Sequence, residues 1–202
     1  MAILSLYWAV LFRVEMNMNS LIVYVVDFET ASDALVGPTV TQLTEGIVRN
    51  NTMPHLGYIT ISPERYNFDN VAVREDVYQE ACWAAIVVNA NATQLLRQAV
   101  GFANSSYDPT GAIQLVYNEA RDQDTYYQYI YPMVQQLQTQ IMTKFGQSWT
   151  EEIMANTAVT KANMEAVPQA VNPGIGFATF NLRPFTPSTA VPAVSILSLI
   201  HI

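Results

Sequence analysis

The run Trp83-Ala84-Ala85-Ile86-Val87-Val88, with Asn89-Ala90-Asn91-Ala92-Thr93 behind it, limits what this chain can fold into more than any other stretch. An unbroken row of small and β-branched apolar residues reads as a strand buried on both faces. Such strands belong to parallel sheets covered by helices. Asn89 gives a polar exit. Asn91 is placed to cap a helix bearing Leu95, Leu96, Ala99 and Val100, and Gly101 sits where that helix should stop.

The same order recurs along the chain. Leu21 to Val26 is a first strand that leaves through Asp27-Phe28-Glu29, and Gly37-Pro38 opens a helix with Val40, Leu43 and Ile47 on one face, closed by Asn50-Asn51. Leu56 to Ile61 is a second strand, stopped by Ser62-Pro63, and Asp69 or Asn70 caps a helix sharing Val73, Val77 and Ala81. After the turn Tyr107-Asp108-Pro109-Thr110-Gly111, Ala112 to Tyr117 is a fourth strand that exits at Asn118-Glu119. Asp122 or Asp124 begins a long helical region that Pro132 kinks or restarts. Met133, Val134, Leu137, Ile141 and Phe145 keep helical spacing, Gly146 ends the run, and Ser148-Trp149-Thr150-Glu151 is a capping box for a further short helix. Four strands alternating with helices predict right-handed βαβ units. The expected fold class is α/β, a mainly parallel sheet with flanking helices over about residues 20–156. Beyond Pro168 periodicity is lost.

Composition narrows the partners. A net charge of −8 with 13% charged residues argues against nucleic acid, whose phosphates call for clustered Lys and Arg. No polybasic run is present to hold an anionic membrane surface. Half the residues are apolar and the mean hydropathy is +0.14, which fits a fully buried sheet or membrane-adjacent segments. Cys82 is the single cysteine, so no intramolecular disulfide forms, and it reads as an inert core thiol. Three sequons place candidate glycans at Asn50, Asn91 and Asn104.

Chemistry in open α/β sheets gathers at the carboxyl ends of strands. Asp27, Glu29, Ser62, Asn89, Asn118 and Glu119 lie at such ends and form an expected polar crescent, able to accept hydrogen bonds or hold a cation through its carboxylates. The same residue types also make turns and caps. No glycine-rich dinucleotide or phosphate motif, zinc-protease motif or nucleophile elbow occurs, so no catalytic residue, metal ligand or cofactor is assigned. His55 falls in a loop. Arg121 suits a surface or capping ion pair. The tyrosines at 126, 127, 129 and 131 point different ways on a helix, so they are expected to pack on the sheet or a partner surface rather than form one stacking platform.

The ends are apolar. Met1 to Phe12 is uncharged and shorter than the about 20 residues of a full span, and it reads either as a short core helix or as the interfacial end of a membrane helix with Tyr7 and Trp8 near Arg13. Asn181 to Pro187 is an extended linker toward Ala190-Val191-Pro192-Ala193-Val194-Ser195-Ile196, which reads as the start of a second span. Leu197 to Ile202 matches a translated mosaic-end adapter of transposase-based sequencing libraries; a genuine apolar tail is the alternative, and the codons at these six positions decide.

A series of short motifs carries a resemblance. They are Leu6-Tyr7-Trp8, Val25-Val26-Asp27-Phe28, Val36-Gly37-Pro38, Leu56-Gly57-Tyr58 and Trp83 to Val88 with Asn91-Ala92-Thr93. Tyr107-Asp108-Pro109, Ala120-Arg121-Asp122 and Asn181 to Phe185 complete the series. In this order they resemble the fungal nitrosoguanidine-resistance family, whose shared region is a domain of unknown function. The resemblance implies a multi-pass membrane protein with one helix, a large extracytoplasmic domain and further helices, similar in layout to the membrane components of ABC-2-type exporters. It implies drug or stress resistance and supplies no catalytic residue. Residues 1–13 are then the end of a first transmembrane helix, 20–156 the extracytoplasmic domain, 157–190 a proline-containing return segment and 191–202 the start of a second span.

The expected function is a non-enzymatic ectodomain in a membrane, the plasma membrane first, with residues 20–180 on the extracytoplasmic side. Its partners are the bilayer and a second copy of the chain. The competing classes are a soluble α/β enzyme or small-molecule binder working through the crescent, and an assembly scaffold at the cell surface.

Overall fold

β-branched side chains favour the extended backbone, and in β1 (Ile22–Asp27) they alternate between the two covered faces of a sheet. The computed structural model describes residues 14–50 and 54–185, the side chains of 14–16 excepted. The expected membrane-helix ends at 1–13 and 191–202 lie outside the described residues. Five strands form one sheet in the order β2-β1-β3-β4-β5, with β2 at Gly57–Ile61, β3 at Ala84–Val88, β4 at Ile113–Tyr117 and β5 at Phe177–Asn181. Every residue of β3 is buried, as its unbroken apolar run requires.

Helices cover both faces. On one side lie α1 (Val36–Asn50), α3 (Ala92–Gly101) and α4 (Tyr131–Ala155), which bury Val40, Leu96 and Leu137 against Val23, Ile86 and Leu115. The short helices α5 (Lys161–Ala166) and α6 (Pro168–Val171) join this layer through Met164, Val167 and Ala170. On the other side α2 (Asn70–Tyr78) sets Val73 and Val77 against Val26, Val87 and Val116. Asp69 caps α2 by accepting from the Val71 amide at 2.8 Å, as the sequence suggests.

Four features differ from the sequence reading. First, β4 runs antiparallel to β3, although β1–β2, β1–β3 and β4–β5 are parallel. The stretch from Phe102 to Ala112 carries the chain back to the end of the sheet where β3 finished, so Ile113 lies opposite Val88. Second, the segment after 156 is part of the domain. It forms α5 and α6 and adds β5 to the edge of the sheet.

Third, Gly146 does not stop α4 and Ser148 does not cap a new helix. The helix runs through both, with the Thr150 hydroxyl donating back to the Gly146 carbonyl at 2.7 Å. Fourth, the Asn91 side chain makes no capping bond; its backbone is left-handed, at φ 62°.

Register fixes the direction of the whole chain. Val23 pairs with Tyr58 and Ala84, Ala84 with Tyr117, and Tyr117 with Asn181, so these residues form one row across the sheet. The row lies near the start of β1 and the finish of β5. The chain therefore enters and leaves the sheet at the same end, called here the entry end.

Candidate functional site

Reversal of β4 and β5 splits the expected crescent. Asp27, Glu29, Ser62 and Asn89 stay together at the far end of the sheet, where β1, β2 and β3 finish. Asn118 and Glu119 follow β4 and sit at the entry end, beside Asn181 of β5. A single site made of all six residues is ruled out by this topology.

The far end is the switch point of the sheet, because β2 lies beside β1 on one flank while β3 and β4 follow on the other, with α1 and α2 on opposite faces. In sheets of this kind a ligand usually lies there against helix N-termini, where unpaired amides and the helix dipole attract negative charge. Here the negative charge comes from the chain itself. Glu29 accepts from the Gly37 amide at 2.8 Å, the Thr93 amide at 2.6 Å and the Thr93 hydroxyl at 3.0 Å, so one carboxylate caps α1 and α3 together. The Thr93 hydroxyl oxygen in turn accepts from the amides of Leu35 and Val36 at 2.8 and 3.0 Å.

Asp27 lies against Gly37, where a Cβ would collide with its carboxylate oxygens. It accepts from the Glu29 amide at 2.9 Å. Burial is the main reason its carboxyl is held above the usual range; the Glu29 amide works against this and the Glu29 charge adds to it.

Asn89 is engaged as fully. Its carbonyl oxygen accepts from Asn70 at 2.9 Å and Gln114 at 2.5 Å, and its amide donates to the Gly111 carbonyl at 2.7 Å. Gln114 carries the network on to Arg74 at 2.6 Å, whose guanidinium lies 3.9 Å from the centre of the Phe180 ring. These polar atoms lock loops to the sheet, which is the capping role that their residue types also suit.

At the entry end Glu119 is buried and accepts from Tyr127 at 3.1 Å and Asn181 at 2.6 Å, so it anchors β5. Asn118 is 2% exposed, and neither atom of its carboxamide has a hydrogen-bond partner among the described residues. Arg121 donates to the carbonyls of Glu80 and Cys82 at 3.1 and 2.9 Å and lies 4.0 Å from the Trp83 ring centre. It clamps the loop before β3, a role beyond the surface ion pair expected of it, since its contact with Glu80 is a long 4.0 Å.

Arg183 covers Tyr78 at 3.8 Å. Tyr117, Tyr126, Tyr127 and Tyr131 do come together, with ring centres 4.4 to 6.1 Å apart, and Tyr129 stays out. Only Tyr126 stacks flat, on Tyr117 of β4, as packing on the sheet requires; its contacts with Tyr127 and Tyr131 are edge-on or tilted, at the π-helical turn Tyr126–Ile130, so no single stacking platform forms.

No nucleophile–base pair forms from the sequence candidates. Cys82 is buried beneath α2, and its thiol is pushed up to about 12, chiefly by burial. His55 is 9% exposed, with Nδ1 2.8 Å from the Leu56 carbonyl. Among the described residues no three His, Cys, Asp or Glu side chains gather to hold a metal ion. Asn50, Asn91 and Asn104 are all exposed.

Fold and site together define an α/β domain on a mixed five-stranded sheet, its switch-point crevice filled by its own glutamate and both of its chain connections at the opposite end. The chain belongs to the family described as protein of unknown function (DUF3533), whose model matches residues 1–202. No curated protein and no solved structure matches it.

Proposed function

We propose that the described domain is the extracytoplasmic part of a multi-pass membrane protein of transporter-like or drug- and stress-resistance type, and that it is not itself an enzyme. The observation that carries this reading is the shared exit. The strand that opens the sheet and the strand that closes it meet the rest of the chain at one end. A domain held between two membrane spans needs that geometry, since both spans must reach one surface.

Three features add support. The sequence beyond each connection is apolar, at Met1–Phe12 and from Ala190 onward. The entry end presents Tyr78, Tyr127 and Tyr131, each 40 to 50% exposed, with Arg121 and Arg183 among them. Amphipathic rings and arginines of this kind favour the headgroup layer. The motif series that resembles the nitrosoguanidine-resistance family supplies the resistance class. Among the described residues no helix is long and apolar enough to cross a membrane, so the spans are assigned to the sequence outside them.

A soluble enzyme or binder working through the crescent has less support, because the crescent's carboxylates and Asn89 are already engaged in capping and loop bonds.

The test is the full open reading frame expressed in a eukaryotic host. Carbonate-resistant membrane association and a mobility shift on deglycosylation, lost in the triple variant Asn50→Gln/Asn91→Gln/Asn104→Gln, are the expected results. Recovery in the carbonate supernatant, or labelling of residues 20–180 from the cytosolic side, would overturn the proposal.

A further inference from the structure

We propose that the cleft between α1 and α4 is a binding site for an uncharged small molecule with an apolar body and amide or hydroxyl groups. The cleft is separate from the strand-end crescent, and Asn50, a glycan candidate of the membrane reading, lies in its lining. The cleft measures about 310 Å³, within the range of small-molecule sites. Its apolar lining comes from Leu43 and Ile47 of α1 and Leu137 of α4, and Gln136 and Gln140 stand exposed beside them.

Charge selects the ligand class. In a chain of net charge −8, no Asp, Glu, Lys or Arg is among the described residues lining this cleft. His55 is the one imidazole in the lining, so an ion entering the cleft would lose hydration and meet no carboxylate, ammonium or guanidinium, whereas a neutral molecule would keep hydrogen bonds to carboxamides. Tyr58, reaching in from β2, is 9% exposed and lines the cleft. Burial pushes its phenol above the ordinary range, so it serves as a neutral donor or acceptor.

Gly46 is the second observation. It lies inside α1, where glycine is about 1 kcal/mol worse than alanine, yet a Cβ built there meets nothing within 4 Å. The missing side chain leaves room at the cleft. The site lies in the halves of α1 and α4 nearest the entry end.

The experiment uses the full chain, made without N-glycans and held in a nonionic detergent, with three probes of one shape: benzamide, benzoate and benzamidine. Amide-resonance shifts at Leu43, Ile47 and Leu137 report binding. Benzamide should shift them, with the two charged probes about tenfold weaker or more. Gly46→Phe should abolish the benzamide shifts while leaving the melting temperature within a few degrees, and Gln136→Trp at the exposed rim should do the same. Silence of these resonances at the solubility limit of benzamide would overturn the proposal. Equal response to the three probes would do so as well, as would undiminished binding in both folded variants.

Discussion

Glu29 holds the first turns of two helices, and its worth can be measured there. Replacing it with alanine leaves the Gly37 and Thr93 amides without their acceptor in a partly buried site. Glu29→Ala should therefore lower unfolding free energy by about 2–4 kcal/mol, read from denaturant midpoints at constant slope. A carboxylate kept free for a ligand would behave otherwise, and its removal would leave stability unchanged or raise it. Asp27 is measured through pH instead. Its carboxyl is raised by burial, so protonation favours the fold; that contribution is complete below the ordinary carboxylate range and is lost as pH rises through the folded value. The melting temperature of Asp27→Asn should gain on that of the native chain between about pH 3 and pH 7, and a constant difference over that interval would refute the assignment. Polar strand exits at Asp27, Glu29 and Asn89 are readable in sequence because residue type and strand end coincide. Their use is not, because the partners lie far along the chain: Thr93 is 64 positions from Glu29 and Gln114 is 25 from Asn89.

At the level of elements, the apolar runs of β1 to β4 and the helices around Val40, Val73 and Leu96 are legible because each buries a face that its own spacing declares. Element ends are less so. Gly146 and Ser148 look like a stop and a start, yet Phe145, Trp149 and Ile153 continue one buried stripe through them. Burial of that stripe outweighs the local preference of a glycine and a serine. Gly146→Ala should accordingly stabilise the protein by about 0.5–1 kcal/mol in a thermal or denaturant melt, since beyond its own turn of helix the new methyl group meets nothing within 4 Å. A helix that truly ended there would lose stability. β5 escapes notice because it is a short, half-covered edge strand between Gly176 and Arg183-Pro184, although its Phe177-Ala178-Thr179-Phe180 alternation carries the signal. The direction of β4 is hidden for another reason. A strand–helix–strand string is the same for either orientation, and only the long Phe102–Ala112 return distinguishes them.

For the molecule as a whole, the α/β class follows from the sequence alone, while the order of strands does not, because it depends on pairings between distant segments. That order has a lateral consequence. β1 and β5 are separated by β3 and β4, so the two connections at the entry end are three strand spacings apart, about 14 Å. Two helices in direct contact lie only about 8–10 Å apart. Spans continuing straight from these connections would stand too far apart to touch, yet too close for a third helix to lie directly between them, which needs about 16–20 Å. The sheet would then act as a spacer that sets the distance between its own two anchors.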